Sequence, residues 1–367
     1  MKIIFDYKIF YQQKIGGISN YFFNLGEEFL RRNHDLKFIC PIHKNKYLNK
    51  IKAQNKKAFF FKFLPSQANK LYENINHNYS NKFIKKFLPD IVHESYYSKK
   101  NYNNKTKIVC TVYDMINEIY PKYSKASKEI TQMKFDTVNR ADKIFCISHK
   151  TKRDLIEYFN INDDKIKVSY LSSGFEDINF NQETKKEFSD CLLFVGSRYG
   201  YKNYENLIRA YAISKILRNN FRIIFFGGEK PGSYEFDVIK KNKLNYDQIL
   251  FFDDNDYDLS YIYTNVLALI YPSLYEGFGI PILEAMSLGC PVISSKGGAL
   301  TEVGGEGIPY FDPLSVEDLS FKIENTLNST NSLKEIIEYG LKRSKEFSWK
   351  NCADQTLNGY KEIWCTI

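Results

Sequence analysis

A helix start preceded by glycines gathers free backbone N–H groups at the positive end of the helix dipole, which suits a phosphate or the hydroxyls of a sugar. The run SLYEGFGIPILEAM at 273–286 has that form. An apolar strand ends, the chain turns through Gly277 and Gly279, and Pro281 falls in the first helical turn, where its missing N–H costs nothing. Two carboxylates flank the turn. Glu276 lies on the glycine-flanked loop, where it has no capping duty, and is the stronger candidate for contact with a ligand. Glu284 is expected in the first helical turn, facing the same way. An acidic residue there also stabilises the helix's own N–H groups with no ligand at all.

Such a turn needs a parallel sheet to hold it. Strand-like and helix-like runs alternate along the whole chain, the pattern of an α/β fold with helices on both faces of parallel sheets. In the first half, strands are predicted at KIIFD (2–6), LKFIC (36–40), DIVHE (90–94), KIVCTVYD (107–114), KIFCIS (143–148) and KIKVSY (165–170), with helices such as 19–32 and 150–159 between them. The pattern starts afresh at CLLFVGS (191–197) and runs through FRIIFFGG (221–228), QILFFDD (248–254), VLALIYPS (266–273), PVISS (291–295) and GIPYFD (307–312). The patternless stretch 174–190 reads as a linker. The expected division is an N-terminal Rossmann-like domain over 1–173, a C-terminal one over 174–348, and an aromatic last helix within 349–367 that crosses back to the first domain. Two doubly wound domains of this kind would face a cleft at the carboxyl ends of their strands.

At 367 residues, 43% hydrophobic and 26% charged, the chain exceeds one core. No apolar run approaches the roughly 20 residues that a membrane helix needs. The opening MKIIFDYKIF enters a strand with no apolar signal region, so a cytoplasmic protein is expected. The seven cysteines show no metal-site or C-x-x-C spacing and read as buried thiols of a reducing compartment. The five histidines share no ligand spacing. Formal charge is +9 but uneven, since 41–107 holds 15 lysines against Glu73, Asp90 and Glu94. That lobe is either a solvated lysine face or a docking surface for anionic lipid or an anionic acceptor, at roughly 1 kcal/mol per well-placed lysine. No nucleic-acid motif accompanies it, and nucleic acid is not expected as a partner. Within 81–88, Phe83, Ile84, Phe87 and Leu88 fall at helical spacing beside Lys82, Lys85 and Lys86. A core-packing helix is the first reading there, and a membrane-surface helix the alternative.

EGFGIPILEA resembles the Glu-x₇-Glu signature of the retaining GT-B glycosyltransferases, specifically glycosyltransferase family 4, and the resemblance covers nearly the whole chain. VGSRYGYKN (195–203) is similar to the family's strand-end segment whose Arg and Lys hold the donor diphosphate, here Arg198 and Lys202. Gly16 and Gly17 in GGISN resemble the glycine loop facing the donor, and ADKIFCIS (141–148) and CPVIS (290–294) resemble two further blocks. The resemblance implies that Glu284 binds the ribose hydroxyls and Glu276 sits against the transferring sugar. It implies that Gly277, Phe278, Gly279 and Ile280 offer backbone N–H groups there, and that Gly298 and Glu302 lie near the nucleotide. Where the family carries a His–Asp pair, this chain has Tyr113 and Asp114. Tyr113 can hydrogen-bond a sugar hydroxyl, but tyrosine titrates near 10 and is no neutral-pH acid or base. Asp114 keeps its place among the catalytic candidates.

The reaction this implies is transfer of a hexose from a nucleotide-diphosphate sugar to a glycan or lipid-linked glycan, with retention, in bacterial surface polysaccharide assembly. The first domain would take the acceptor and the second the nucleotide sugar. The departing phosphate would take the acceptor's proton. The fork of Arg198 and the point charge of Lys202 would stand in for a divalent metal, so neither a metal nor another cofactor is expected. DDNDYD (253–258) contains two D-x-D triplets, yet it precedes a helix at 259–265, so Asp258 reads as its N-cap and the rest as loop. The alternatives are a phosphorylase or sugar-nucleotide epimerase of the same architecture, and a silent glycan-binding subunit. A nucleotide-dependent oxidoreductase is disfavoured because Gly16-Gly17 lacks the G-x-G-x-x-G spacing.

Overall fold

A computed structural model describes residues 1–102, 106–175, 187–253 and 256–364, the side chain of Ser66 excepted. It forms two compact units, Met1–Leu171 with Trp349–Ile367, and Ser172–Ser348. Most of the stretch read as a linker lies outside the described residues.

The first unit is built on seven parallel strands: β1 (Lys2–Phe5), β2 (Asp35–His43), β3 (Lys56–Phe60), β4 (Ile91–Glu94), β5 (Lys107–Val112), β6 (Lys143–Cys146) and β7 (Ile166–Val168). Their order is β3-β2-β1-β4-β5-β6-β7, with Ile3 beside Leu36 on one side and Ile91 on the other. Strands buried on both faces read as continuous apolar runs, which is why β1 and β6 are apolar after their first lysine. In β2 the ladder to β3 shifts register between Cys40 and Ile42, at Pro41, which has no N–H to donate. The edge strand β3 was not among the predicted strands.

Helix Gly17–Arg31 buries Tyr21, Phe22, Leu25 and Phe29 at helical spacing. Helix Asn69–Phe87 packs on β2. Its Ile84 is buried, and Phe83 and Phe87, stacked at 5.5 Å, lie against Ile4, Ile39 and Val92. Of the two readings of 81–88, the core-packing one is what the fold contains. The last helix, Trp349–Trp364, belongs to this unit. Its Tyr360 hydroxyl lies 2.6 Å from Nδ1 of His93, whose Nε2 is 2.8 Å from Thr111 Oγ1. Arg32 pairs with Asp354 at 2.6 Å. No helix of the described residues is long and apolar enough to cross a membrane. The six described cysteines are buried thiols.

The second unit has six parallel strands: β8 (Phe188–Val195), β9 (Arg222–Phe226), β10 (Ile249–Phe252), β11 (Val266–Tyr271), β12 (Val292–Ser295) and β13 (Tyr310–Phe311). The order β10-β9-β8-β11-β12-β13 turns back on itself between β8 and β11, where Leu193 pairs with Leu269. Leu192, Phe194, Ile223, Phe225, Ile270 and Ile293 form its core with the inner faces of helices Tyr204–Ile213 and Val316–Leu327. Connections leaving neighbouring strands in opposite directions open a crevice at their carboxyl ends. The loops after β8 and β11 carry Lys202 and Glu276.

Candidate active site

Lys202 and Glu276 meet at that crevice. Lys202 Nζ lies 2.7 Å from Glu276 Oε1, and each side chain keeps about a tenth of its surface open. Between them stands the Tyr271 hydroxyl at the end of β11, accepting from Lys202 Nζ at 2.8 Å and donating to Glu276 Oε1 at 3.1 Å. Burial, and then the charge of Glu276, push the Tyr271 phenol well above its ordinary value, so it stays a proton donor. Nothing in the sequence marked Tyr271 beyond its place in an apolar strand.

The two loops are fixed to each other. Leu274 N donates to the Tyr201 carbonyl at 2.7 Å. Buried Asn203, held in the left-handed region at φ 63, donates to the carbonyls of Pro272 and Pro313 at 3.0 and 2.7 Å. Asn is the side chain that tolerates that conformation best after Gly. On the far side, Gly297 and Gly298 press against the Glu276 loop. A Cβ at Gly297 would meet the carbonyls of Ser273 and Leu274 at 2.5 Å, and one at Gly298 (φ +66) the Glu276 carbonyl at 2.3 Å. Ala299 N then donates to the same Glu276 carbonyl at 2.9 Å. Gly298 thus supports the backbone of Glu276.

Arg198 is engaged within the protein. Its guanidinium is buried, with Nε on Glu235 Oε1 at 2.9 Å, Nη1 on the Gly227 carbonyl at 2.6 Å and Nη2 on the Glu229 carbonyl, over the face of Phe251. The fork expected for the diphosphate is engaged in holding the loop after β9. Glu235 completes the clamp by accepting from Gly232 N at 2.9 Å, as a helix capping group. Beside it a cavity of about 290 Å³ opens at the ends of β8, β9 and β10, lined by Arg198, residues 227–231 and 251–253, and Asp256.

Helix Ile280–Ser287 starts from Gly279, whose φ of 105 and contact with Leu300 (2.6 Å from a built Cβ) leave no room for another residue. Glu284 therefore lies beyond the first turn and is not a cap. It accepts from the Tyr263 hydroxyl at 3.1 Å, and burial pushes its carboxyl up to about 7 against that bond. Phe278 is buried with its ring edge-on to Phe347. Gly277 also has a protein partner. The N–H groups of Ile282 and Leu283 return to the Gly279 carbonyl. Glu302 lies in the short helix Leu300–Gly304, its carbonyl accepting from Arg343 at 2.7 Å. Asp258 caps helix Leu259–Asn265 through Ser260 N at 2.8 Å. Asp254 and Asn255 lie outside the described residues. No group of three or more His, Cys, Asp or Glu among the described residues is placed to hold a metal.

In the first unit, Gly16 caps helix Gly17–Arg31, and the Gln13 side chain accepts from Ser19 N at 3.2 Å across it. Tyr113 is likewise engaged within the protein. Its hydroxyl donates to the Ser95 carbonyl at 3.0 Å in the interior, against Tyr21, Tyr96 and Tyr97. Asp114 Oδ1 accepts from Ile116 N at 3.0 Å, while Lys134 Nζ donates to the Asp114 carbonyl at 2.8 Å. Where this sheet reverses, between β1 and β4, buried Lys8 pairs with buried Asp6 at 3.3 Å and with buried Glu94 at 2.7 Å.

The family model for glycosyl transferases group 1 matches residues 175–343, and that for glycosyltransferase family 4 matches 15–171. The O-antigen chain mannosyltransferase B of Escherichia coli is 30% identical over 240 residues, which is 62% of this chain and 62% of that protein. The match thus spans less than two thirds of that relative. Among solved structures, a glycosyltransferase from Rickettsia africae superposes with a TM-score of 0.73 at 19% identity, over 100% of this chain and 99% of that one. Anabaena HepE, solved with UDP and glucose, gives 0.72 at 14%, over all of both chains. The two models lie one on each unit, both sheets carry the Rossmann-like order of GT-B structures, and the chain belongs to glycosyltransferase family 4.

Proposed function

We propose that this protein transfers a hexose from a nucleotide-diphosphate sugar to a growing surface glycan. The observation that carries this is the Lys202–Glu276 pair, steadied by Tyr271, at the crevice between β8 and β11. Departure of a nucleoside diphosphate puts negative charge on the β-phosphate and positive charge on the anomeric carbon. A cation and a carboxylate side by side answer the two. Lys202 turns to the phosphate, and Glu276 to the sugar. The cavity beside Arg198 takes the base, Arg198 shaping its wall, and Glu284 takes the ribose hydroxyls.

In this reading the bond from the anomeric carbon to the phosphate oxygen breaks with its electron pair going to the phosphate. The acceptor oxygen bonds to that carbon on the same face, and its proton passes to the departing phosphate, so configuration is retained. Lys202 supplies the counter-charge without a divalent metal. The E. coli relative favours mannose as the hexose and an O-antigen type of glycan as the acceptor. The HepE complex supports a sugar nucleotide as the donor.

The test is turnover of UDP-, GDP-, ADP- and dTDP-hexoses with and without glycan acceptors. Glu276→Ala and Lys202→Ala should each lower kcat by about 10² to 10³, the usual cost of one preorganised charge contact. Wild-type kcat in both variants refutes the assignment. Donor conversion that needs no acceptor points to an epimerase instead.

A further inference from the structure

The edge strand β3 and the helix after it leave large apolar side chains in solvent. Phe59 is 72% exposed and Phe63 78%, values that place them off the core, and Phe61 lies between them in sequence, also exposed. On helix Asn69–Phe87 the exposed residues Leu71, Ile75 and Tyr79 fall four apart, one stripe along its outer side. The end of β2 joins the two groups. Phe61 N donates to the His43 carbonyl at 2.8 Å, and the Phe60 ring packs 5.6 Å from His43. One residue earlier, Asn76 accepts from Ile42 N at 2.8 Å and donates to the Ile42 carbonyl at 3.0 Å. The strand end with Phe59 and Phe61 and the helix turn with Ile75 and Tyr79 therefore flank the same two residues.

The charge around this face has one sign. Residues 52–86 contain eight lysines, and Lys52, Lys57, Lys62, Lys70, Lys82, Lys85 and Lys86 are exposed. Glu73 is the sole carboxylate in that span and lies 3.7 Å from Lys100. Exposed aromatics set among lysines with almost no acid match the two signals of a bilayer surface, an apolar boundary beneath anionic headgroups. Neither signal holds a protein firmly by itself.

We propose that this face docks the protein on an anionic lipid bilayer, with Phe59, Phe63 and the Leu71–Ile75–Tyr79 stripe entering the boundary and the lysines lying among the phosphates. The surface differs from the 81–88 segment singled out in the sequence, whose apolar residues are mostly spent on the core. The inference does not depend on what the second unit transfers, because the binding is read without donor or acceptor.

The experiment is co-sedimentation of the whole protein with vesicles of phosphatidylcholine alone or with phosphatidylglycerol added, at low and high salt. Binding is expected only to the anionic vesicles and should fall as salt rises. Phe59→Ser with Phe63→Ser should weaken it about tenfold or more, from the apolar area no longer buried. Lys57→Glu with Lys62→Glu and Lys70→Glu should weaken it about fivefold for each lysine lost. All five side chains are exposed, so both variants should melt as the wild type does and keep turnover on a soluble acceptor. Equal binding to neutral and anionic vesicles, or unchanged binding in both variants, overturns the proposal. So does a self-association that the Phe59/Phe63 variant abolishes in protein that ignores vesicles, which assigns the face to a second copy of the chain.

Discussion

A carboxyl group pushed up to about 7 makes folding depend on pH near neutrality, and Glu284 is such a group. Burial raises it, and the single hydroxyl of Tyr263 lowers it by less. Measured from an ordinary carboxyl at 4.5, the rise is worth about 3 kcal/mol. The side chain is not wholly sealed from solvent, and screening brings this to about 2 kcal/mol. The folded protein holds this proton more tightly than the unfolded chain does. The stabilisation is therefore fully present below the unfolded value and is lost as pH climbs through about 7. Glu284→Gln keeps the shape and an oxygen for Tyr263 but has no proton to lose. It should match the wild type near pH 4.5 and exceed it near pH 8 by about 2 kcal/mol, roughly 4 to 8 °C in the melting of a unit this size. Urea unfolding and calorimetry across that range, on both proteins, measure it. Parallel stability–pH curves for the two proteins would refute the argument.

Arg198→Ala should act on folding before it acts on chemistry. It strands buried Glu235 and two carbonyls and should cost about 3 to 5 kcal/mol, read as an earlier urea midpoint. An unchanged midpoint with a large fall in kcat would return Arg198 to the phosphate. Chelation by EDTA should leave turnover unaltered, and activity abolished by EDTA and restored by Mg²⁺ or Mn²⁺ would remove Lys202 from its role as counter-charge.

What could be read from the chain follows the reach of each interaction. KIIFD, CLLFVGS and VLALIYPS announce themselves because a strand buried on both faces is apolar throughout. KKAFF in β3 does not, since an edge strand with one neighbour keeps lysines and an irregular exposure. Asp258 was legible as a cap because its partner, Ser260, is two residues away. Arg198 was legible as a cation at a strand end but not as a clamp, because Glu235 lies 37 residues on and the carbonyls it holds depend on how the β9 loop turns back. The bond of Tyr113 is hidden from the sequence for the same reason, its partner Ser95 standing at the end of a neighbouring strand. Glu276 stands out in the sequence through its local glycines. Its dependence on Tyr271 required knowing that β11 ends where that hydroxyl reaches both charges.

The last helix has a consequence for how the chain comes off the ribosome. Domains generally fold as they emerge, N-terminal first, yet here the first unit is discontinuous and the second, Ser172–Ser348, is one uninterrupted stretch. Until Tyr360 arrives, Nδ1 of buried His93 lacks the hydroxyl that meets it, and Phe29 and Phe145 lack the ring they pack on. Ser169, too, waits for the carbonyl of Cys352. The unit synthesised first is therefore the one finished last, and a chain halted at Ser348 would carry a closed second unit beside a first one with its seam still open.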